Sequence, residues 1–284
     1  MSTSVVRERA VAGLPVRAVE VGGTTTSVVE LGSGDPLVLL HGGIECGGVT
    51  WAPVVRGLAT THRVVVPDVP GLGESAPVEN LDAGSLGRWL VRLMAVTGLD
   101  HPVLVVHSLV GSLAVRAVAA GVGPAVRQLV VCAVPAVGPY RMPVKLRYLA
   151  VRFAIRPTAA NAERFDRFAF LDRDAVRARD PEWYDAWAAY TQERAGTPHV
   201  KRTMSKLIGS ATRRIPDVEL AALSAPTALL WGRDDRMVPL SVGETAARNQ
   251  GWPLHVIDDS AHAPHLEQPE RFIQALRDVM SPAG

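Results

Sequence analysis

The 284-residue chain reads as an α/β protein with a mostly parallel, doubly wound sheet and an inserted helical cap. Three observations predict this: short, nearly continuous apolar runs alternating with helical patterns, a break in that rhythm after Val137, and its return at Pro226. Strands buried on both faces of a parallel sheet have such sequences, and their alternation with helices sets the doubly wound class.

Taken in order, residues 16–31 form β-type runs broken by Gly22-Gly23 and closed by Gly32-Ser33-Gly34, which predicts an antiparallel start. Apolar runs at 36–40, 63–66, 102–106 and 126–132 then predict buried strands, with helical patterns at 51–60, 86–96 and 109–120. After the interruption come a strand at 226–231, a helix at 241–249, a strand at 254–257 and a last helix at 269–280. The core domain is therefore expected to comprise residues 1–137 and 223–284, with 138–222 as a helical lid. That insertion has no convincing strand, and its amphipathic stretches lie at 144–155, 160–171, 181–194 and 200–208. Pro181 followed by Glu182 suits the first turn of a helix, where proline lacks only an N–H that has no partner there.

Composition narrows the function classes. With 48% hydrophobic and 20% charged residues, the chain is neither mainly disordered nor collagen-like. Thirty basic against twenty-eight acidic residues give no electrostatic reason to expect nucleic acid as a partner. Cys46 and Cys132 form no CxxC pair or metal-ligand spacing, and a single bridge would be too few for a disulfide scaffold, so a reducing cytoplasm is expected. Arg7, Glu8 and Arg9 stand where a signal peptide would need its apolar stretch. No run approaches the roughly 20 apolar residues of a membrane span, and the chain is read as soluble. The histidines show no His-x-x-x-His spacing or paired carboxylates, so neither a metal nor another cofactor is expected.

Three positions carry chemistry together. Ser108 follows the run ending at Val106 and immediately precedes a helical pattern, a setting that lifts its hydroxyl above the sheet edge beside a helix N-terminus. A helix N-cap would also use serine. Asp234-Asp235 follow the strand at 226–231, and His262 follows the strand at 254–257, at the same edge of the sheet. Serine is a poor nucleophile at neutral pH and needs a base within hydrogen-bond reach, with an acid to fix the base's tautomer.

The chain order Ser, Asp, His and the surrounding motifs resemble the α/β-hydrolase family, serine branch with a helical cap. Leu39-Leu40-His41-Gly42-Gly43 is similar to the family's oxyanion loop, and the segment from Val66 to Ser75 to its following strand-to-loop segment. Trp231-Gly232-Arg233-Asp234-Asp235-Arg236-Met237-Val238-Pro239 resembles the acid loop and Ser260-Ala261-His262-Ala263-Pro264-His265-Leu266-Glu267-Gln268-Pro269-Glu270-Arg271-Phe272 the histidine segment. The resemblance implies Ser108 as nucleophile, Asp235 as acid, with Asp234 as its rival, and His262 as base, with His265 as fallback. The oxyanion donors would be the backbone N–H groups of Leu109 and Gly43, or Ile44 if the loop runs one residue later. His41 reads as a structural hydrogen-bonding residue behind that loop. The carboxylate-nucleophile branches, haloalkane dehalogenases and epoxide hydrolases, would place aspartate at 108. The chain departs from the family's Gly-x-Ser-x-Gly: Val106 and Val110 hold the outer positions and glycine comes only at Gly111, which requires a shifted helix or an altered turn. Gly71-Leu72-Gly73 lacks the third glycine and the lysine of a phosphate cradle.

The insertion holds ten of the chain's fifteen aromatic residues, among them Phe165, Phe170 and Trp187. They can build a cap core or roof an apolar pocket over Ser108. Residues 138–222 carry sixteen basic and ten acidic residues, hence +6, leaving −4 for the rest. The expected activity is hydrolysis of an ester, lactone or thioester of a small, apolar or aromatic substrate. Two alternatives are carbon–carbon bond hydrolysis of a β-diketone-like substrate, and a slow or non-hydrolytic ligand-binding, cyclase or acyltransferase role.

Overall fold

The computed structural model describes residues 5–44 and 46–280; the ends of the expected core segments at 1–4 and 281–284 lie outside the described residues. The strands are β1 (Val16–Val21), β2 (Thr24–Leu31), β3 (Asp35–Leu40), β4 (His62–Pro67), β5 (Val103–His107), β6 (Gln128–Cys132), β7 (Thr227–Gly232) and β8 (Leu254–Ile257). They form one sheet in the order β1-β2-β4-β3-β5-β6-β7-β8. The pairs β1–β2 and β2–β4 are antiparallel, and all pairs from β4 to β8 are parallel. The antiparallel start and the parallel body agree with the sequence reading.

The period-2 geometry of a strand sorts the apolar runs onto two faces. Val38, Leu40, Leu104, Val106, Leu129 and Val131 enter one buried cluster. Leu37, Leu39, Val103, Val105, Val130 and Cys132 enter the other. The helices Ala83–Thr97 and Ser108–Ala119 cover the first face with Leu86, Leu90 and Leu113, while Ala52–Leu58 and Pro269–Met280 cover the second with Val55, Leu58, Phe272 and Leu276. The helix Ala83–Thr97 is bounded by a reciprocal capping box between Asp82 and Ser85 and by Gly98 at φ +63.

Between β6 and β7 run the helices Val144–Ile155, Ala159–Ala169, Arg173–Arg179, Pro181–Gly196, Pro198–Ala211 and Asp217–Ala221. Four of them coincide with the amphipathic stretches, and Pro181 does stand in a first turn, capped by Asp180 accepting from the Trp183 N–H at 3.0 Å. The helices Arg173–Arg179 and Asp217–Ala221, of seven and five residues, are too short for a periodic signal. Aromatic residues of this segment pack on one another, with the Trp187 ring 5.6, 6.2 and 5.3 Å from those of Phe170, Trp183 and Tyr184. Phe170, Trp183, Tyr184, Trp187 and Tyr190 join the cluster on the second face of the sheet, whereas Phe153 packs in a small group with Ala162 and Ala195. Among the described residues no helix is long and apolar enough to cross a membrane.

The strand order reverses its direction of growth at β3, which lies between β4 and β5. Such a switch point opens a crevice at the carboxyl ends of the strands. The register Leu40↔Val106 sets His41-Gly42-Gly43 directly beside His107-Ser108 at that point.

Candidate active site

Strand β5 passes into the helix Ser108–Ala119 without a loop, so one residue makes the whole turn. Ser108 makes it with φ +50, a left-handed conformation that side-chain-bearing residues seldom adopt. The β3 loop holds this turn from one side. A Cβ on Gly42 would lie 2.5 Å from His107 Nδ1 and 2.7 Å from Ser108 Cβ, and the Val110 N–H donates to the Gly42 carbonyl at 3.0 Å. Val106 and Val110, at the family's glycine positions, are fully buried in the core of the first face. The close approach falls one residue on: a Cβ on Gly111 would meet Val134 Cγ2 at 2.6 Å and the Val106 carbonyl carbon at 3.3 Å.

Asp235 and His262 come to the same place on the loops after β7 and β8. Those loops cross so tightly at Gly232 that a Cβ there would lie 1.9 Å from the Ala261 carbonyl oxygen. Asp235 Oδ1 accepts the N–H groups of Met237 and Val238 at 2.8 and 2.9 Å, leaving Oδ2 for His262 Nδ1 at 2.9 Å. His262 Nε2 then lies 2.9 Å from Ser108 Oγ. All three side chains are buried. Asp234 is exposed, and His265 lies against Trp51 with ring centroids 4.1 Å apart. The geometry therefore brings together Ser108, His262 and Asp235 and leaves both fallback residues outside the chain of hydrogen bonds.

Burial keeps the surrounding imidazoles neutral. Desolvation lowers His41 to about 4 and, aided by the nearby His262, lowers His107 to about 3; burial likewise holds His265 well below its ordinary value. His41 Nε2 accepts the Val69 N–H at 2.9 Å, which fits its reading as a structural residue behind the loop. His107, paired through Nε2 with the His262 carbonyl at 3.0 Å, fixes the backbone that carries His262.

Glu267 stands in the histidine segment, where the sequence assigns it no role. One carboxylate oxygen accepts from the Ala261 and Ala263 N–H groups at 2.9 and 3.3 Å, on both sides of His262, while the other accepts from the Leu171 N–H at 2.7 Å. It thus ties the histidine loop to the inserted segment. Burial nonetheless pushes its pKa up, against the lowering by those three donors. The signal present in the sequence is only a glutamate five residues after His262, which carries meaning once the loop is folded. Asp68, in the Val66-to-Ser75 segment, accepts from Gly47 and Glu74 N–H at 2.9 Å each and pairs with Arg7 at 3.2 Å. The glycine-rich loop is thereby held by a buried carboxylate.

Ser108 opens onto a cavity of about 120 Å³, lined by Ile44, Leu109, Phe165, Phe170, Trp187 and Met204 among others. Three of the inserted aromatic residues thus roof it. None of the described lining residues is an arginine or lysine. Thr50 Oγ1, His107 Nδ1 and both ring nitrogens of His265 belong to lining residues, are buried and have no hydrogen-bond partner in the protein. Among the described residues, no group of three or more His, Cys, Asp or Glu side chains is placed to hold a metal ion.

A family model described as the alpha/beta hydrolase family matches residues 37–275. The chain is 28% identical to the 2-hydroxy-6-oxo-2,4-heptadienoate hydrolase of Pseudomonas putida, over 93% of this chain and 96% of that protein. It is 27% identical to the pimeloyl-[acyl-carrier protein] methyl ester esterase of Methylococcus capsulatus, over 88% of this chain and 96% of that protein. Among solved structures, a carboxylesterase from Bacillus subtilis superposes with a TM-score of 0.82 at 19% identity, covering 98% of this chain and 97% of that one.

Proposed function

The chain belongs to the alpha/beta hydrolase family, and we propose that it is a serine hydrolase of an uncharged, largely apolar carboxylic ester, lactone or thioester. The observation that carries this reading is the unbroken line Asp235–His262–Ser108, with both links at 2.9 Å, opening onto an apolar cavity. His262 Nε2 takes the Ser108 proton as Oγ attacks the carbonyl carbon, and Asp235 stabilises the imidazolium and fixes its orientation. The tetrahedral oxyanion is received by the Leu109 and Gly43 N–H groups, with Ile44 as the next donor along the loop; Leu109 lies in a first helical turn, where N–H groups have no intrahelical acceptor. Collapse expels the alcohol or thiol with the proton from His262. A water molecule, deprotonated by the same nitrogen, then releases the acid and restores Ser108. In this reading residues 138–222 are the cap that closes the pocket, and 1–137 with 223–284 are the catalytic core.

A second reading is carbon–carbon bond hydrolysis. A 6-oxo-dienoate, as in the name of the Pseudomonas putida relative, carries a ketone and no ester, so its hydrolysis must break a carbon–carbon bond. The alignment of that relative with this chain over nearly the whole length of both favours this reading. The absence of a cation among the described lining residues disfavours a substrate carboxylate there. The test is a matched panel of methyl ester, thioester and 1,3-diketone with the same acyl group, together with a 6-oxo-dienoate. Ester or thioester turnover well above that of the diketone and dienoate supports the proposal; the reverse order replaces it with the second reading.

A further inference from the structure

The helix Val144–Ile155 turns an apolar stripe to solvent. Val144, Tyr148, Val151 and Ile155 recur at spacings of four, three and four residues, which places them on one face, and they are 74, 58, 53 and 70% exposed. Four of the eleven large exposed apolar residues of the described chain are thus lined up on this helix. Isolated exposed apolar residues are ordinary; a contiguous row of them marks a contact surface.

The surroundings of the stripe are cationic. Between Arg141 and Arg156 the sequence holds five basic residues and no acidic one. By helical position Lys145, Arg152 and Arg156 flank the stripe on one side and Arg147 on the other, and all are exposed. None of the five takes part in an ion pair among the described residues. The opposite face of the helix is buried through Leu146, Leu149 and Phe153, with the Phe153 ring 6.2 Å from Phe165, which lines the Ser108 cavity.

We propose that the helix Val144–Ile155 is a docking face for an anionic lipid surface, with its apolar stripe in the acyl boundary and its flanking cations at the lipid phosphates. A row of four large apolar side chains needs an apolar phase, and cations on both flanks need anions at the edge of that phase. An anionic lipid surface presents both, and long arginine and lysine stems reach from the apolar level to the headgroups. A second copy of this chain fits poorly, because self-pairing would set five positive charges against five. Docking in this way sets the roof of the Ser108 cavity against the lipid.

The experiment is co-sedimentation of the full chain with vesicles of phosphatidylcholine alone or mixed equally with phosphatidylglycerol, at low and high salt. Three proteins are compared: the natural chain, Tyr148→Ser/Val151→Ser/Ile155→Ser, and Arg147→Gln/Arg156→Gln. Circular dichroism and Tm verify that each variant folds. Binding should require phosphatidylglycerol, weaken with salt, fall about fivefold for each arginine removed and be lost in the serine variant. Restoring charge with Arg147→Lys/Arg156→Lys should restore most of the binding. No binding to mixed vesicles, equal binding to both vesicle types, or undiminished binding by the two loss variants overturns the proposal. So does a concentration-dependent dimer that the serine variant dissolves, which would assign the face to a second copy.

Discussion

Ser108 holds φ +50 without being glycine, a conformation that costs on the order of 1–3 kcal/mol and persists only where neighbours enforce it. The enforcing contacts are the Val110 N–H on the Gly42 carbonyl and the bare Cα of Gly42 against His107 and Ser108. Gly42→Ala should therefore displace the turn and lower ester turnover about 100-fold or more, measured as kcat/KM on a folded variant. Asp235→Asn tests the role proposed for this carboxylate differently. Its Oδ1 is fixed by two backbone N–H donors, so the new amide nitrogen would face His262 Nδ1 and force the wrong tautomer. Turnover should fall about 10,000-fold with little change in Tm. Ser108, Asp235 and His262 were legible in the sequence because each follows an apolar strand in a recognisable local motif. The contacts of Gly42 and the clearance at Gly111 were not, because they are distances between segments far apart in the chain.

The loop carrying His262 and the inserted helices hold one another in place. The His262 N–H donates to the Ala169 carbonyl at 3.1 Å, Arg179 donates to the Leu266 and Glu267 carbonyls at 2.7 and 2.5 Å, and Arg236 reaches the Phe170 carbonyl. Glu267 joins both sides through three backbone donors. Glu267→Ala should leave those buried N–H groups unpaired, at about 1–3 kcal/mol each, lowering both Tm and kcat while Glu267→Gln retains part of each. The insertion's helices were legible as amphipathic stretches, whereas their destination was not. Nothing local to Trp183 or Tyr190 says that their aromatic group is continuous with the core on the sheet's second face.

Acid stability integrates several buried groups over the whole molecule. The folded pKa values of His41 and His107, about 4 and 3, lie below the ordinary 6.5, and His265 is displaced the same way. Between the folded and unfolded values the unfolded chain binds more protons, so stability falls as pH drops below about 6.5. Glu267, displaced upward, acts in the opposite direction in the range just above its ordinary 4.5. With three imidazoles against one carboxyl, Tm should fall by several degrees between about pH 7.5 and pH 5, read by calorimetry. An unchanged or higher Tm at pH 5 would contradict neutral burial of these histidines. At this scale the sheet was legible because β5 and β7 are short apolar runs buried along their whole length. Strand order was set by pairings such as Leu40 with Val106, which no stretch of sequence records.

The most direct measurement is reaction of the folded chain with a fluorophosphonate, the modified residue being located by peptide mass spectrometry and ester turnover followed in parallel with Ser108→Ala. A base-activated nucleophile should give one phosphonylated residue, Ser108, with turnover lost in step with labelling and absent in the folded variant. Modification at another residue, or ester turnover retained by Ser108→Ala, would contradict it.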